Sequence, residues 1–364
     1  MGERVLIVGT GLIGGSVGLA LRRADPGYVR VGFDADPARA REAVAAGALD
    51  EAATRLASAL GTADVVFVAT PVGQILDVVE AAAAHTRIGT VVTDVGSTKA
   101  TIVRRAEELL GEGRHFVGGH PMAGTEGEGV AAARVDLFEG ALWILTPTDR
   151  SDSEAYRKVN TLVSRLGAKT LALDPSEHDA LVARVSHLPY AVATTLMALA
   201  GEGGDAKVFS AAAGAFRDIT RTAGSNPRIW HDILATNAEA VSRELGELAD
   251  RLGSLREALE TGRLDVVDDL IAAARDARRR LPMKGEREPA EPVTVEVVIP
   301  DRAGVLADVT TTVGEGGINI EDVWMEHTTA GGVLGLVVDG AAAAAKAVEL
   351  LQRKGYRAAL LEER

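Results

Sequence analysis

The chain of 364 residues contains no cysteine, and this absence removes several kinds of chemistry at once. Disulfide bonds, thiolate nucleophiles, cysteine–zinc sites and iron–sulfur clusters all require cysteine, so the function cannot depend on any of them. The seven histidines show no HExxH or other metal-ligand spacing. We therefore expect no metal site.

Positive charge and long apolar runs are also scarce. The chain has 39 basic and 52 acidic residues, a net charge of −13, so we expect neither nucleic acid nor a membrane as a partner. A few local cations can still bind an anionic small substrate. The longest apolar stretch, residues 188–200, contains Thr194 and Thr195 and is too short to span a bilayer. Because no signal peptide precedes the strand-like run at Val5, a cytoplasmic location is the default expectation.

The first half of the chain alternates short β-like runs with helical ones. A glycine-rich turn at residues 9–15 precedes a helix predicted at 16–24. Alternation of this kind predicts a mostly parallel sheet covered on both faces, and hence a Rossmann-like α/β domain over residues 1–173. The predicted strands are residues 4–8, 29–33, 64–68, 90–94, 116–118 and 142–145.

The second half has a different pattern. Residues 177–280 contain no convincing strand, and apolar residues recur there at helical spacing, which predicts an all-helical domain at 174–281. A segment rich in proline and charge, residues 282–292, is typical of an interdomain linker. Residues 293–364 return to a βαββαβ order, and a hairpin predicted at 328–332 makes that sheet at least partly antiparallel. Ile229, Ile233, Leu234, Ala238 and Val241 illustrate the helical stripe.

The glycine-rich turn has the spacing of a dinucleotide-binding site. Residues 9–14 read GTGLIG, follow a strand and open a helix. Gly9 permits the tight turn, Gly11 lets the backbone approach a pyrophosphate, and Gly14 lets helix and strand pack closely. The N–H groups that follow, at Leu12 and Ile13, favour a negatively charged ligand.

An acidic residue specifies the nucleotide. Asp34 ends the second predicted strand, twenty residues after Gly14, where a carboxylate can bind the adenine ribose and repel a 2′-phosphate. The pattern therefore favours NAD over NADP. We expect Thr70 and Pro71 to flank the cofactor on the opposite side of the crevice. The alternative interpretation makes the glycines a plain strand–helix turn and Asp34 a solvated loop residue.

Three further segments concentrate polar residues, at 93–99, 118–126 and 186–190. Each has a structural interpretation: Ser97 could cap a helix starting at Thr98, His120 could be a loop histidine fixed by Pro121, and His187 could lie on a helix surface. Together, behind an NAD site, they indicate a dehydrogenase centre. Alcohol oxidation needs a base within hydrogen-bond reach of the hydroxyl group, and histidine suits that role near neutral pH.

The segments GTGLIGGS, DVGSTK, GGHPMAG, SHLPY and FRDITRTA occur in this order over residues 1–280. In order and spacing they resemble the prephenate/arogenate dehydrogenase (TyrA) family. The resemblance implies a Rossmann domain, a helical domain through which two subunits pair as a homodimer, and an active site between these domains. It also implies NAD-dependent oxidative decarboxylation of prephenate, a small dicarboxylate, to 4-hydroxyphenylpyruvate in tyrosine biosynthesis.

The resemblance implies roles for individual residues. His120 matches the base that takes the ring-hydroxyl proton, and Ser97 matches the serine that binds this hydroxyl group and orients the histidine. His187 and Arg221 match substrate-binding residues, the arginine for a carboxylate, and Thr125 falls in the same substrate-binding region. Many members of the family carry a second histidine where this chain has Tyr190.

The C-terminal part resembles an ACT domain, a βαββαβ module that often binds amino acids. Residues 301–306 (DRAGVL) and 317–320 (GINI) carry this resemblance, which implies Gly304 and Asn319 as ligand contacts. In an enzyme of this pathway, tyrosine is the expected effector. A purely structural dimerisation module is the alternative.

Three other functions remain open on the sequence. Arogenate dehydrogenase activity is one, because arogenate shares the ring carboxylate of prephenate. A β-hydroxyacid dehydrogenase would need a catalytic lysine in the second domain, and Lys207 is the only lysine at residues 177–280. The third is a non-catalytic regulatory protein that senses NAD and amino acids.

Overall fold

The computed structural model describes residues 2–124, 127–204, 206–280, 293–328 and 331–361. The chain divides into two compact units, Met1–Leu264 and Asp265–Arg364. The linker predicted at 282–292 and residues 329–330 of the predicted hairpin lie outside the described residues. The first unit holds both the predicted Rossmann part and most of the predicted helical part, and the boundary at 173/174 stays a prediction.

An eight-stranded sheet forms the centre of the first unit, in the order β3-β2-β1-β4-β5-β6-β7-β8. All neighbouring strands are parallel except β6 and β7, which are antiparallel. The order reverses beside β1, where open α/β sheets bind ligands. The strands are β1 (Arg4–Val8), β2 (Val29–Phe33), β3 (Glu51–Ala52), β4 (Val65–Val68), β5 (Val91–Asp94), β6 (His115–Pro121), β7 (Leu142–Thr146) and β8 (Lys169–Ala172).

Helices cover both faces of this sheet. Val5 and Ile7 of β1 pack in one apolar layer, and Leu6 and Val8 pack in the other, because successive side chains of a strand point to opposite faces. This explains why β1 is a continuous apolar run, as expected of a strand buried on both sides. The helices are α1 (Leu12–Ala24), α2 (Pro37–Ala45), α3 (Leu56–Leu60), α4 (Ile75–His85), α5 (Ala100–Leu110) and α6 (Ser153–Arg165).

Two predicted boundaries in this part are wrong. Helix α1 begins at Leu12 instead of residue 16, because Gly11 forms its N-cap and the next glycines are helical rather than part of the turn. Strand β6 continues to Pro121 instead of ending at Gly118, because His120 and Pro121 pair with Ile144 and Trp143 of β7. Tertiary pairing here overrides the weak strand preference of glycine and proline. The short edge strands β3 and β8 were not predicted.

The rest of the first unit is helical, as predicted. Helix α7 continues through a π-helical turn, Ala183–His187, into α8. The predicted apolar stripe is divided between α11 and α12 because the helix is interrupted at Asn237, and Ile229 is exposed rather than buried. The helices are α7 (Pro175–Val182), α8 (Leu188–Gly201), α9 (Ala206–Ser210), α10 (Gly214–Thr220), α11 (Pro227–Thr236) and α12 (Ala238–Thr261).

The second unit contains α13 (Leu264–Arg279) except for its first residue, and a four-stranded sheet in the order β10-β11-β9-β12. Every strand pair is antiparallel, which agrees with the prediction that this sheet is at least partly antiparallel. Alternate residues of β9 and β11 pack against α14 and α15, as in ferredoxin-like βαββαβ modules. The elements are β9 (Val293–Ile299), α14 (Val305–Glu315), β10 (Ile320–Thr328), β11 (Gly331–Val338), α15 (Ala341–Arg353) and β12 (Arg357–Leu360).

None of the described helices is both long enough and apolar enough to cross a membrane.

Candidate active site

The glycine-rich turn has the geometry that a dinucleotide requires. Gly9 has a φ of 92°, and a Cβ atom there would lie 2.5 Å from the Ala69 carbonyl oxygen. A Cβ atom at Gly14 would lie 1.9 Å from the Gly9 carbonyl oxygen, so helix and turn pack directly against each other. Gly11 has open space at the same position. A phosphate can therefore approach the first N–H groups of α1, at Leu12 and Ile13.

Asp34 is held beside this turn. Its Oδ2 accepts hydrogen bonds from the backbone N of Thr10 at 2.9 Å and from the Thr10 hydroxyl group at 3.1 Å. Its Oδ1 accepts from the backbone N of Asp36 at 3.0 Å. Asp34 is thus a fixed carboxylate at the end of β2 and not a solvated loop residue.

Thr70 and Pro71 follow β4 on the other side of β1. The hydroxyl oxygen of Thr70 is buried and has no hydrogen-bond partner among the described residues. Pro71 starts a short 3₁₀ turn, Val72–Gln74. The cofactor contacts assigned to both residues stay predictions, and their position across the sheet from Asp34 fits a bound dinucleotide.

A buried carboxylate, that of Asp94, joins the two segments that carry Ser97 and His120. The side chains of Asp94 and Lys99 are both fully buried and form a salt bridge. Asp94 also accepts hydrogen bonds from the backbone N of Gly96 at 2.8 Å and of Gly119 at 3.1 Å. One carboxylate therefore fixes the residue before Ser97 and the residue before His120.

The two glycines in these segments are required by close packing. A Cβ atom at Gly96 would lie 2.8 Å from Asp94 Oδ2, and one at Gly119 would lie 2.7 Å from the Asp94 carbonyl oxygen. Within the described residues, no hydrogen bond joins Ser97 to His120. Ser97 does not cap a helix either: α5 begins at Ala100, and its first N–H groups donate to Asp179.

His120 is a partly buried side chain near the end of β6. Burial holds the pKa of His120 well below its usual value, and coulombic interactions with His178, Lys99 and His187 lower it further. The imidazole is therefore neutral at neutral pH and can accept a proton. This arrangement differs from a loop histidine fixed by proline.

Two neighbouring residues of α7 hold the His120 ring. Nδ1 of His120 lies 2.8 Å from Nε2 of His178, and Nδ1 of His178 lies 2.8 Å from Oδ1 of Asp179. The same carboxylate accepts hydrogen bonds from the backbone N of Lys99 at 2.7 Å and of Ala100 at 2.9 Å. The helical part of the unit thus contacts both His120 and the start of α5.

His187 is buried and not a helix-surface residue. The amide nitrogen of Asn237 donates to the Asp179 carbonyl oxygen at 2.8 Å and lies 3.1 Å from Nδ1 of His187. Burial lowers the pKa of His187 to about 4, so the ring is neutral. Because Nδ1 accepts a hydrogen bond, the proton of the neutral ring is on Nε2.

Aromatic side chains lie beside His187. Trp230 contacts its ring edge-to-face, with centroids 6.1 Å apart, and stacks on Tyr190 at 3.7 Å. Tyr190 is therefore part of the packing around this histidine.

For two of the predicted substrate-binding residues, the structure gives little information on a role. Arg221 is exposed at the start of a 3₁₀ turn, Arg221–Gly224, directly after α10. Thr125 lies outside the described residues. Their roles stay predictions.

In the second unit the two predicted ligand contacts are not together. Gly304, with a φ of 85°, lines a cavity with Asp301, Arg302 and Met325. Asn319 is not among the residues that line this cavity, and its side-chain amide donates to Glu321.

Sequence reasoning missed several residues of the first site. His178 and Asp179 precede the SHLPY segment and match no short motif, and Asn237 and Trp230 lie on later helices. One signal was available in the sequence, because residues 175, 178, 179 and 182 have the spacing of one helix face. The structure buries all four of these residues, and two of them, His178 and Asp179, are polar.

Known proteins match this chain over both parts of the first unit. The family model described as prephenate dehydrogenase, nucleotide-binding domain, matches residues 17–172. The model described as prephenate dehydrogenase, dimerization domain, matches residues 174–273. Prephenate dehydrogenase of Bacillus subtilis (strain 168) is 35% identical over 332 residues, which cover 90% of this chain and 89% of that protein.

Solved structures are also similar to this chain. Prephenate dehydrogenase from A. aeolicus, in complex with hydroxyphenyl propionate and NAD+, is similar with a TM-score of 0.74 and 32% identity over 78% of this chain and 99% of that one. Synechocystis arogenate dehydrogenase has a TM-score of 0.68 and 30% identity over 76% of this chain and 99% of that one.

The fold and the site define a dinucleotide-dependent oxidoreductase with a histidine at the same edge of the sheet as the glycine-rich turn. Matches to both family models, which together cover most of the chain, then identify its family. The chain belongs to the prephenate dehydrogenase family.

Proposed function

We propose that this chain catalyses the NAD-dependent oxidative decarboxylation of prephenate to 4-hydroxyphenylpyruvate, a step of tyrosine biosynthesis. The observation that carries the proposal is the neutral His120, held at the same edge of the sheet as the glycine-rich turn. The relatives support the substrate and the cofactor, since the A. aeolicus enzyme was crystallised with NAD+ and hydroxyphenyl propionate.

The residues of the chain supply the acid–base chemistry. NAD, when bound, accepts the hydride from the ring carbon that carries the hydroxyl group. His120 removes the hydroxyl proton as the carbonyl group forms, and Ser97 orients this hydroxyl group. The ring carboxylate leaves as carbon dioxide, and the electron pair of the broken C–C bond makes the ring an aromatic phenolate. His120 returns the proton to the phenolate oxygen, so the protons balance.

The substrate is bound by cationic and donor groups. Arg221 supplies a permanent positive charge, and His187 supplies an Nε2–H donor. Prephenate carries two carboxylates and no ammonium group, whereas arogenate carries an ammonium group that a nearby guanidinium would repel. We therefore favour prephenate. The similarity to Synechocystis arogenate dehydrogenase keeps arogenate as the second candidate.

The His120→Asn variant tests the role of the base. We expect kcat to fall on the order of a hundredfold or more, with NAD affinity nearly unchanged, because the imidazole acts in the chemical step. The matched control is His231→Asn, since the side chain of His231 is 82% exposed. Near-normal kcat in the His120 variant would remove this residue from the role.

A second variant tests substrate binding. Arg221→Gln should raise KM for prephenate strongly, because the charge that binds a carboxylate is lost. An unchanged KM would show that another group binds the substrate carboxylates.

We further propose that the chain forms a homodimer through its helical part, which the matching family model describes as a dimerization domain. Helix α12 carries leucines at positions 245, 248, 252, 255 and 259, a heptad-like spacing. Leu245, Leu252 and Leu259 are 39%, 56% and 58% exposed in the single chain. Leu252→Glu should shift the mass measured by light scattering toward a monomer, whereas a dimer that persists unchanged would place the interface elsewhere.

We infer that the second unit is an ACT-like module that binds tyrosine as a feedback effector. The alignment with the B. subtilis relative covers 90% of this chain, so it must extend into the second unit. The cavity beside Gly304 is lined by Asp301 and Arg302, whose charges suit the ammonium and carboxylate groups of an amino acid. A ligand regulates only if it binds one arrangement of the protein better than another.

Truncation tests this regulation. A chain ending near Met283 should stay active and lose inhibition by tyrosine, and Arg302→Gln should do the same with the module retained. Gly304→Val is a poorer test, because a residue with a φ of 85° strongly disfavours a β-branched side chain. If the truncated enzyme remained equally sensitive, tyrosine would be acting at the active site.

A further inference from the structure

Three side chains form a continuous hydrogen-bonded row from the helical part to the base. The row runs from Asp179 through His178 to His120, with both links at 2.8 Å. His178 is fully buried, and Asp179 is 6% exposed. The rings of the two histidines meet edge-to-face, with centroids 5.1 Å apart.

The chemistry of the row determines where each proton lies. An ionised carboxylate only accepts hydrogen bonds, so Nδ1 of His178 must carry a proton. A neutral His178 then has a lone pair on Nε2, and Nδ1 of His120 must donate to it. This leaves Nε2 of His120 without a proton, and that nitrogen is the one free to act as a base.

The surrounding groups keep the row in this state. Burial lowers the pKa of His178, an effect that Asp179 and Asp94 oppose and that Lys99 reinforces. The pKa of His120 is lowered by burial first, and then by coulombic interactions with His178, Lys99 and His187. Together these surroundings favour a neutral His178.

Asp179 itself is immobilised from two sides. Its carboxylate accepts the backbone N–H groups of Lys99 and Ala100 at the start of α5. Its carbonyl oxygen accepts from Asn237. A carboxylate fixed in this way favours one orientation of the His178 ring, and through it one orientation of His120.

We propose that His178 and Asp179 are positioning residues that hold His120 as its Nδ1–H tautomer, so that Nε2 is the catalytic base. This proposal rests on the proposed function only for the role of His120 in turnover. The protonated His120 formed during the reaction can share its Nδ1 proton with His178, which moves positive charge toward Asp179. Proton and charge balance are unaffected, since the same proton returns through His120.

The tautomer can be measured without substrate. In protein labelled with ¹⁵N-histidine, nitrogen shifts distinguish a protonated ring nitrogen from an unprotonated one, and the His120→Asn variant identifies which of the seven histidine signals belongs to His120. At neutral pH we expect proton-bearing Nδ1 and proton-free Nε2 in His120. The opposite tautomer, or a doubly protonated ring, would overturn the proposal.

Two substitutions of His178 distinguish a hydrogen-bonding role of this residue from a role in packing alone. The amide of glutamine can occupy the place of Nε2 and accept from His120, whereas the shorter asparagine can reach only the place of Nδ1. We expect His178→Gln to keep kcat within about tenfold of wild type and His178→Asn to lower it on the order of a hundredfold, with KM for prephenate little changed. His231→Asn is again the control.

The outcomes are distinct. Equal kcat values in the two His178 variants would count against the row, because a packing role does not depend on which amide reaches His120. If the enzyme fails to oxidise prephenate while His120 shows the Nδ1–H tautomer, the proposed function fails and the positioning role stands.

Discussion

The buried pair of Asp94 and Lys99 gives a prediction that combines stability with catalysis. Both side chains are fully buried, so neither charge is stabilised by bulk water. Lys99→Met keeps most of the side-chain volume and removes the charge. Asp94 then retains the two backbone N–H groups of Gly96 and Gly119 but has lost its counter-charge.

Removal of one partner of a buried ion pair costs about 3–5 kcal/mol, because the remaining charge is uncompensated. The two backbone donors that remain place the expected loss at the lower end, about 3 kcal/mol. Asp94→Asn added to Lys99→Met neutralises the site, so the double variant should lose less than the sum of the two single variants.

Urea unfolding at fixed protein concentration measures these differences. The control is Lys169→Met, at an exposed lysine of β8, which should change the free energy of unfolding by no more than about 0.5 kcal/mol. A loss below about 1 kcal/mol in Lys99→Met would refute the reasoning, since the pair would then contribute little. The variant should also raise the pKa of His120, because the positive charge of Lys99, which lowers it, is gone.

Three further predictions concern the site. Asp34→Ser should weaken NAD binding and relax discrimination against NADP, because the fixed carboxylate beside the glycine-rich turn is lost; wild type that uses both nucleotides equally would contradict this. Gly119→Ala should lower kcat at least about tenfold, since a Cβ atom would lie 2.7 Å from the Asp94 carbonyl oxygen and displace His120; unchanged kcat would show that the strand adjusts freely. His187 has a folded-state pKa of about 4 against 6.5, so the unfolded chain binds more protons in this range and stability falls as pH falls from 6.5. By pH 4 the resulting loss in the free energy of unfolding is about 3 kcal/mol. The free energy of unfolding of the His187→Asn variant should lack this part of the pH dependence.

Elements with a local signature could be predicted from the sequence. Strand β1 is a run of apolar residues, the glycines at 9, 11 and 14 follow it at fixed spacing, and Asp34 directly follows β2. Periodicity and turn chemistry act over a few residues, so the sequence alone is sufficient to read them. The βαββαβ order of the second unit could be read for the same reason.

Features that depend on distant contacts could not be predicted. Strand β6 continues through two glycines and a proline only because β7 pairs with it. The contacts of His178 and Asp179 with His120 and α5 join residues about 60 to 80 positions apart. No short-range pattern encodes such contacts, so the sequence allowed His120 to be predicted as the base but did not reveal the residues that hold its ring.

Steady-state kinetics with both substrates and both nucleotides tests the central claim most directly. We predict that prephenate with NAD gives the highest kcat/KM of the four combinations, and that NADH and carbon dioxide form in equal amounts. No NADH from either substrate, or a higher kcat/KM for arogenate than for prephenate, would contradict the account.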